Sequence, residues 1–511
     1  MSPNESKKAK TTTDASEELS RAPVTVPNEI LARIFSFAVD NLPSEPSMRT
    51  AAKIGLICKH WRMILYSTPS LWSRLSVEFT DIDDDTGLGD GIQKTTSTQA
   101  LALCLALSHP MPIYFQLCVK DAKNDWDLRS WIKLDAFHET HIAKALYMLL
   151  GHSARWKQAS FTSDSWVVEL IFTLRHLRSP ELESLTFLVF DDAQPYSWPE
   201  DLEQLESALT PRLRHLDINL HIPYLNPYWS SLKSLTIGFE GPDECHHILS
   251  QALQLEVLTI THIGFLPTKD TTGNLILPRV QQLNLTQCAA CNLFDGLVVP
   301  SLTELGLVAF DENQEHSAHV RAGIEECERH VPISLAVKHV VGLLESSKVI
   351  VDKFTAAWYT PCGELLPVMA LVQSTSVLSL SHLDMDTDLD FLEHCLVRCK
   401  PPLFPHLKEL GLSFDITPPD VPALIASFGL IEEFVCARKA AGLRKLTLEQ
   451  KDFSPESPEV AQDLSPSIYA SSSLARTLCK MSEARDFEVQ WTASPDIDIM
   501  HYAAAYTVPL F

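Results

Sequence analysis

Eight segments of this 511-residue chain repeat one spacing, apolar-x-x-apolar-x-apolar. They are Leu182-x-x-Leu185-x-Phe187, Leu213-x-x-Leu216-x-Ile218, Leu232-x-x-Leu235-x-Ile237, Leu255-x-x-Leu258-x-Ile260, Val280-x-x-Leu283-x-Leu285, Leu302-x-x-Leu305-x-Leu307, Leu407-x-x-Leu410-x-Leu412 and Leu443-x-x-Leu446-x-Leu448. The last two apolar residues of each unit stand two apart, so they share one face of a short strand. The first turns inward from the preceding bend. One unit cannot close a core, but stacked units bury a continuous apolar ladder. Between units, Trp166 to Arg178, Asp201 to Leu209 and Asp243 to Leu253 carry helical spacing. Strand plus helix per repeat predicts a curved α/β solenoid.

That pattern resembles the leucine-rich repeat. In five of the eight units a proline lies two residues before the first apolar position: Pro180, Pro211, Pro278, Pro300 and Pro405. Weaker echoes occur at Trp156-x-x-Ala159-x-Phe161 and Thr375-x-x-Leu378-x-Leu380. The repeats are irregular, with the first six starting 19 to 31 residues apart. The asparagine that usually closes the strand turn in that family is absent, and only Cys288 is a common substitute for it. Residues 311–375 carry no clean unit. Their acidic, His-rich start reads as a loop insertion, and Pro332 to Leu344 as a helix.

Residues between the ladder positions point away from the core, toward the concave side of a solenoid. Most are small and polar, which suits a protein partner recognised by shape and hydrogen bonds. His215, Asp217, Thr236, Thr259, Gln282 and Asn284 are the candidates for substrate contact.

Ahead of the repeats, Val26 to Leu75 has a different character. Pro27 suits a first helical position and Glu29 the positive first turn. Ile30, Ile34 and Ala38 share a helical stripe, with Leu31 and Phe35 beside it. Pro43 and Pro46 break the chain. Ile54, Ile57, Cys58, Trp61, Ile64 and Leu65 then read as one amphipathic run, and Thr68-Pro69 as the cap of a short third helix with Leu71 and Trp72. So few residues cannot bury both their own core and a further apolar stripe, so a partner is expected.

This order of residues resembles an F-box, in the form found in fungal, basidiomycete-type F-box proteins with leucine-rich-repeat-like regions. The matching pieces are Val26-Pro27-x-Glu29-Ile30-Leu31, Ile34-Phe35, Cys58-Lys59-His60-Trp61-Arg62 and Pro69-Ser70-Leu71-Trp72. Val26 stands where the family more often has Leu, and Asn41 to Thr50 is a longer insertion than in its shortest members. The resemblance implies docking on the Skp-type adaptor of a cullin–RING ubiquitin ligase. It implies Pro27, Ile30, Leu31, Ile34, Ile57, Cys58, Trp61 and Leu65 as residues that touch the adaptor or support the contact. The repeats would then hold a protein substrate for ubiquitin transfer. The alternative is a repeat scaffold whose F-box acts outside ubiquitin transfer or only as a cap.

Composition narrows the partners. Forty-one basic against 65 acidic residues give a net charge of −24, which repels nucleic acid and anionic membranes. No secretory segment or membrane-length apolar run is present, so the twelve cysteines are expected as thiols in the cytoplasm or nucleus. The expected organisation is a disordered tail over 1–22, an F-box over 23–75, a linking α/β region over 76–155 and an irregular solenoid over 156–450. A polar Ser-Pro linker over 451–475 and a cap over 476–511 complete it.

Several motifs approach enzyme or metal signatures and fail on spacing. His138-Glu139-Thr140-His141 lacks the second His four residues on, because position 142 is Ile. Asp81, Asp83 and Asp85 start like a calcium loop, but Thr86 and Ile92 stand where Gly and Glu are needed. Cys288-Ala-Ala-Cys291 is half of a zinc site, with no second pair near it. Ser230-x-x-Lys233 places its lysine among repeat leucines, and no phosphate-binding glycine loop occurs. No catalytic, cofactor or metal set is expected, and the chain reads as a non-catalytic subunit.

Overall fold

The computed structural model describes residues 26–40, 47–80, 98–120, 141–163, 179–189, 211–218, 229–239, 241–263, 274–291, 293, 296–308, 333–358, 362–384, 393, 403–416, 421–452, 473–483 and 487–493. The fold is α/β: an N-terminal helical module followed by a repetitive parallel-sheet and helix solenoid.

The described residues of the module form α1 (Asn28–Asp40), α2 (Ser47–Ile57) and α3 (Lys59–Tyr66), then a 3-10 turn over Pro69–Trp72. Here the structure corrects the sequence reading. The run from Ile54 to Leu65 is two helices, broken at Cys58, whose backbone is extended at φ −157° and ψ 164°. Its Sγ accepts a hydrogen bond from the Trp61 N–H at 3.4 Å, capping α3. Cys58 is therefore an exposed cap residue. The segment read as an insertion already contains the first turn of α2. Thr68 does not cap the 3-10 turn with its side chain; its Oγ1 donates back to the Ile64 carbonyl at 2.7 Å.

Among the described residues fourteen strands form one sheet: β1 (Arg74–Thr80), β2 (Ile113–Lys120), β3 (Trp156–Ser163), β4 (Ser184–Val189), β5 (His215–Ile218), β6 (Ser234–Phe239), β7 (Val257–Ile263), β9 (Gln282–Leu285), β11 (Glu304–Leu307), β12 (Lys353–Ala356), β13 (Val377–Asp384), β14 (Glu409–Ile416), β15 (Lys445–Asp452) and β16 (Glu488–Ala493). Each strand pairs in parallel with the next. Behind it, β8 (Leu275–Ile276) and β10 (Leu297–Val298) make a separate parallel pair.

The register explains the spacing. Leu185, Leu216, Leu235, Leu258, Leu283 and Leu305 stack in one row, each under 6% exposed. Burying such a side chain contributes about 1.5–3 kcal/mol, and a one-residue slip would turn the whole row outward. The first leucine of a unit is drawn in by a tight bend, as in Leu182 N–H to Ser179 O at 3.1 Å and Leu255 N–H to Ala252 O at 3.2 Å. The next residue's carbonyl then accepts two N–H groups from the following coil: Glu183 O takes Arg214 N–H at 2.8 Å and His215 N–H at 3.0 Å. The same pair recurs from Lys233 O to Glu256 and Val257, and from Lys408 O to Arg444 and Lys445. An unbroken backbone ladder thus joins coils of unequal length, because only the strand and its bend must match.

Helices cover the core side. They include α4 (Thr98–Leu107), α5 (His141–Leu150), α6 (Pro242–Gln251), the short α7 (Gln287–Cys291), α8 (Ile333–Ser347), α9 (Leu366–Leu371), α10 (Val421–Ala441) and α11 (Ser473–Glu483). Trp491 on the last strand is buried and meets Phe428 of α10 edge-on, with centroids 5.1 Å apart.

The sheet starts ahead of the first sequence unit. Trp72-x-x-Leu75-x-Val77 has the repeat spacing with tryptophan in first place, and Leu75 and Val77 join the ladder opposite Phe115 and Leu117. Both weak echoes are strands, β3 and β13. The stretch read as lacking a unit contains one, Val351-x-x-Phe354-x-Ala356 on β12, disguised by the small alanine in its last place. The helix expected from Pro332 is α8, and that expected from Asp243 is α6. The helical readings over 166–178 and 201–209, the terminal tail and most of the Ser-Pro linker lie outside the described residues.

Candidate docking surface

On α1 the inward stripe is Leu31, Phe35 and Val39, all buried. The outward stripe is equally apolar. Ile30 is 46% exposed, Ile34 52% and Phe37 71%, at helical steps of four and three, with exposed Pro27 a turn before them. The second group lies around the α2–α3 break, where Leu56 is 75% exposed and Ile57, Met63 and Tyr66 are also open.

The module's own core holds these side chains out. Trp61 is half-buried with its ring 5.0 Å from Phe35. Ile64 and Leu65 are buried, and Leu65 Cδ1 lies close under Gly55, where an added Cβ would sit 3.3 Å away. Arg62 Nε donates to the Gly55 carbonyl at 3.0 Å, pinning α3 to α2. Buried Trp72 donates its indole N–H to the Leu65 carbonyl at 2.8 Å, fixing the 3-10 turn and the start of β1.

Residues 24–78 match the F-box-like family model. No curated protein gives a significant match to the chain. F-box domains are non-catalytic modules that join Skp-type adaptors of cullin complexes and recruit substrates to them, so an adaptor role follows for this module. The matched span reaches Glu78 and so includes most of β1, which makes the F-box-like module continuous with the sheet.

Of the residues that the resemblance singled out, Pro27, Ile30, Ile34, Ile57 and Cys58 are exposed. Trp61 is half-buried, and Leu31 and Leu65 pack inside. Phe37, Leu56, Met63 and Tyr66 were missed. Phe37 was legible, since it stands seven residues after Ile30 on the same helical face. Leu56 and Met63 were not, because a single helix drawn through Cys58 carries the wrong phase.

The sheet's open face gathers the second candidate set. In register, Asp217 lies opposite Thr236, Thr236 opposite Thr259 and Thr259 opposite Asn284. His215 and Gln282 lie two residues before Asp217 and Asn284 on the same face. His215 is exposed and the other five are half-buried. Asn284 Nδ2 donates to Thr259 Oγ1 at 3.0 Å. Burial holds the Asp217 carboxyl above the usual carboxylate range, and a hydrogen bond with Thr236 works against that rise. At the rim, Lys233 pairs with Glu256 at 2.7 Å.

Chemistry elsewhere is sparse. Cys288 is buried, with its Sγ 3.1 Å from His262 Nδ1. Among the described residues no group of three or more His, Cys, Asp or Glu could hold a metal ion, and no helix is long and apolar enough to cross a membrane. Asp81, Asp83, Asp85 and His138 lie outside the described residues.

Proposed function

We propose that this chain is the substrate-recognition subunit of a Skp–cullin–F-box ubiquitin ligase, working in the cytoplasm or nucleus. The observation that carries this reading is the apolar stripe of Ile30, Ile34 and Phe37 left in water on a module continuous with an open sheet face. An exposed stripe of this kind marks a protein interaction site. Pro27, Ile30, Ile34, Ile57 and Cys58, with Phe37, Leu56 and Met63, touch the adaptor. Leu31, Trp61 and Leu65 hold that surface in shape from behind.

The sheet face around His215, Asp217, Thr236, Thr259, Gln282 and Asn284 receives the substrate protein. The chain makes and breaks no bond itself. It raises the local concentration of substrate lysines near the ubiquitin-carrying enzyme and fixes their orientation.

Purified intact chain mixed with a recombinant Skp-type adaptor and cullin tests this. Co-elution of all three is expected. Adaptor bound without cullin would replace the receptor by a scaffold acting outside ubiquitin transfer. Absence of the adaptor would reduce the module to a cap on the solenoid.

A further inference from the structure

The open face of the sheet has a row of residues that runs in unbroken register from Ser76 on β1 to Gln490 on β16. Its members are hydroxyls, amides and glycines with one exception, Asp217. The flanking strands place Thr186 on one side of it and Thr236 on the other. His215, two residues earlier, lies between β4 and β6 opposite Ser184 and Ser234. Among the described residues no Lys or Arg pairs with the carboxylate. Nearby charges are already engaged: Arg214 donates to the Ser231 carbonyl at 2.8 Å, and Lys233 pairs with Glu256.

A carboxylate drawn out of water without a cation is destabilised, whereas one met by a cation gains more than it would in bulk solvent. The raised Asp217 carboxyl agrees with the first half of that statement. Thr186 and Thr236 on either side offer hydroxyl oxygens that accept the remaining N–H groups of a guanidinium, or of an ammonium, held by the carboxylate.

We propose that Asp217 anchors a Lys or Arg side chain of a protein partner laid across β4 to β7. This rests on the reading of the open face as the substrate surface. It names the chemistry recognised there: a basic residue in a segment otherwise met by neutral hydroxyl and amide groups.

A displayed library of random peptides, selected on the intact chain, provides the probe. Selected peptides are expected to share a Lys or Arg. They should lose at least about tenfold in affinity toward Asp217→Asn, and equally when their own basic residue becomes Gln. Peptides that withstand Asp217→Asn but are lost with a folded Thr259→Trp variant overturn the cation site and leave the substrate face standing. Peptides that withstand both, or no selected peptide at all, overturn the face as well.

Discussion

Trp72 and Trp156 make the same contact in successive parts of the chain. Each is buried, and each donates its indole N–H to the carbonyl seven residues earlier, Leu65 at 2.8 Å and Leu149 at 3.1 Å. Both hold the first apolar place of a repeat unit. The tryptophan that closes the F-box-like module therefore also opens the first coil of the solenoid. The helical module and the sheet share a residue and need no linker.

Replacing Trp72 by Ala should cost about 3–5 kcal/mol in urea unfolding, the usual range for a buried tryptophan. Trp72→Phe keeps most of the packing and loses the N–H, so it should cost less, with about 1 kcal/mol from the hydrogen bond. Both should weaken adaptor binding. Trp156→Ala should destabilise the solenoid while leaving the folded module's adaptor affinity unchanged. Equal loss of adaptor binding in all three would show that the contact with α3 has no local role.

Gly306 lies opposite Asn284, and a Cβ there would run into Asn284 Oδ1. Gly306→Ala should push that amide off Thr259 and destabilise by about 1–2 kcal/mol. In Asn284→Ala the same glycine substitution should cost little, a coupling that a double-mutant cycle reads directly. Gly411 offers a milder case, with a Cβ 3.1 Å from Ser379 Oγ.

Asp217 should make stability fall with pH. Its folded-state carboxyl titrates above the ordinary 3.8, so the folded protein binds the proton more tightly than the unfolded one. That contribution is full below the ordinary value and is lost as pH rises through the folded one. Asp217→Asn should therefore melt higher than wild type at neutral pH and no higher in acid. A melting curve pair at the two pH values checks it; a lower melting point at neutral pH would contradict it.

Thiol labelling should follow burial. Cys58 and Cys436 are exposed, whereas Cys104, Cys245, Cys288 and Cys362 are buried. Burial pushes the Cys104 thiol up to about 11 and raises Cys245 further, aided there by Glu244. Only thiolates alkylate readily, so among the described cysteines Cys58 should label first in the native protein, and Cys104 and Cys245 only on unfolding. Cys436, raised by partial desolvation and by Glu432, should follow Cys58. Peptide mapping by mass spectrometry distinguishes these sites.

The solenoid was legible because its signal is a side-chain period that the sheet register enforces. Leu185 and Phe187 must face inward together whatever the coil between them does. Where a unit departed from leucine, as at Val351, Phe354 and Ala356, the backbone ladder still formed and the pattern did not announce it. The helical module was legible as a whole but not in its phase. Cysteine is not a favoured helix cap, so nothing at Cys58 marked the break between α2 and α3. The open-face residues followed from alternation alone. What set Asp217 apart from its row required the register of the sheet from β1 to β16.

The most direct measurement is the affinity of the intact chain for a recombinant Skp-type adaptor, by calorimetry, beside Ile34→Asp and Phe37→Asp. Both side chains are more than half exposed in the free protein, so the variants should still fold, which their unfolding transitions report. A charge on the buried apolar centre of an interface should lower affinity by at least about a hundredfold. Tight binding by wild type with that loss in folded variants is the expected result. Variants that bind as well as wild type would contradict docking through α1.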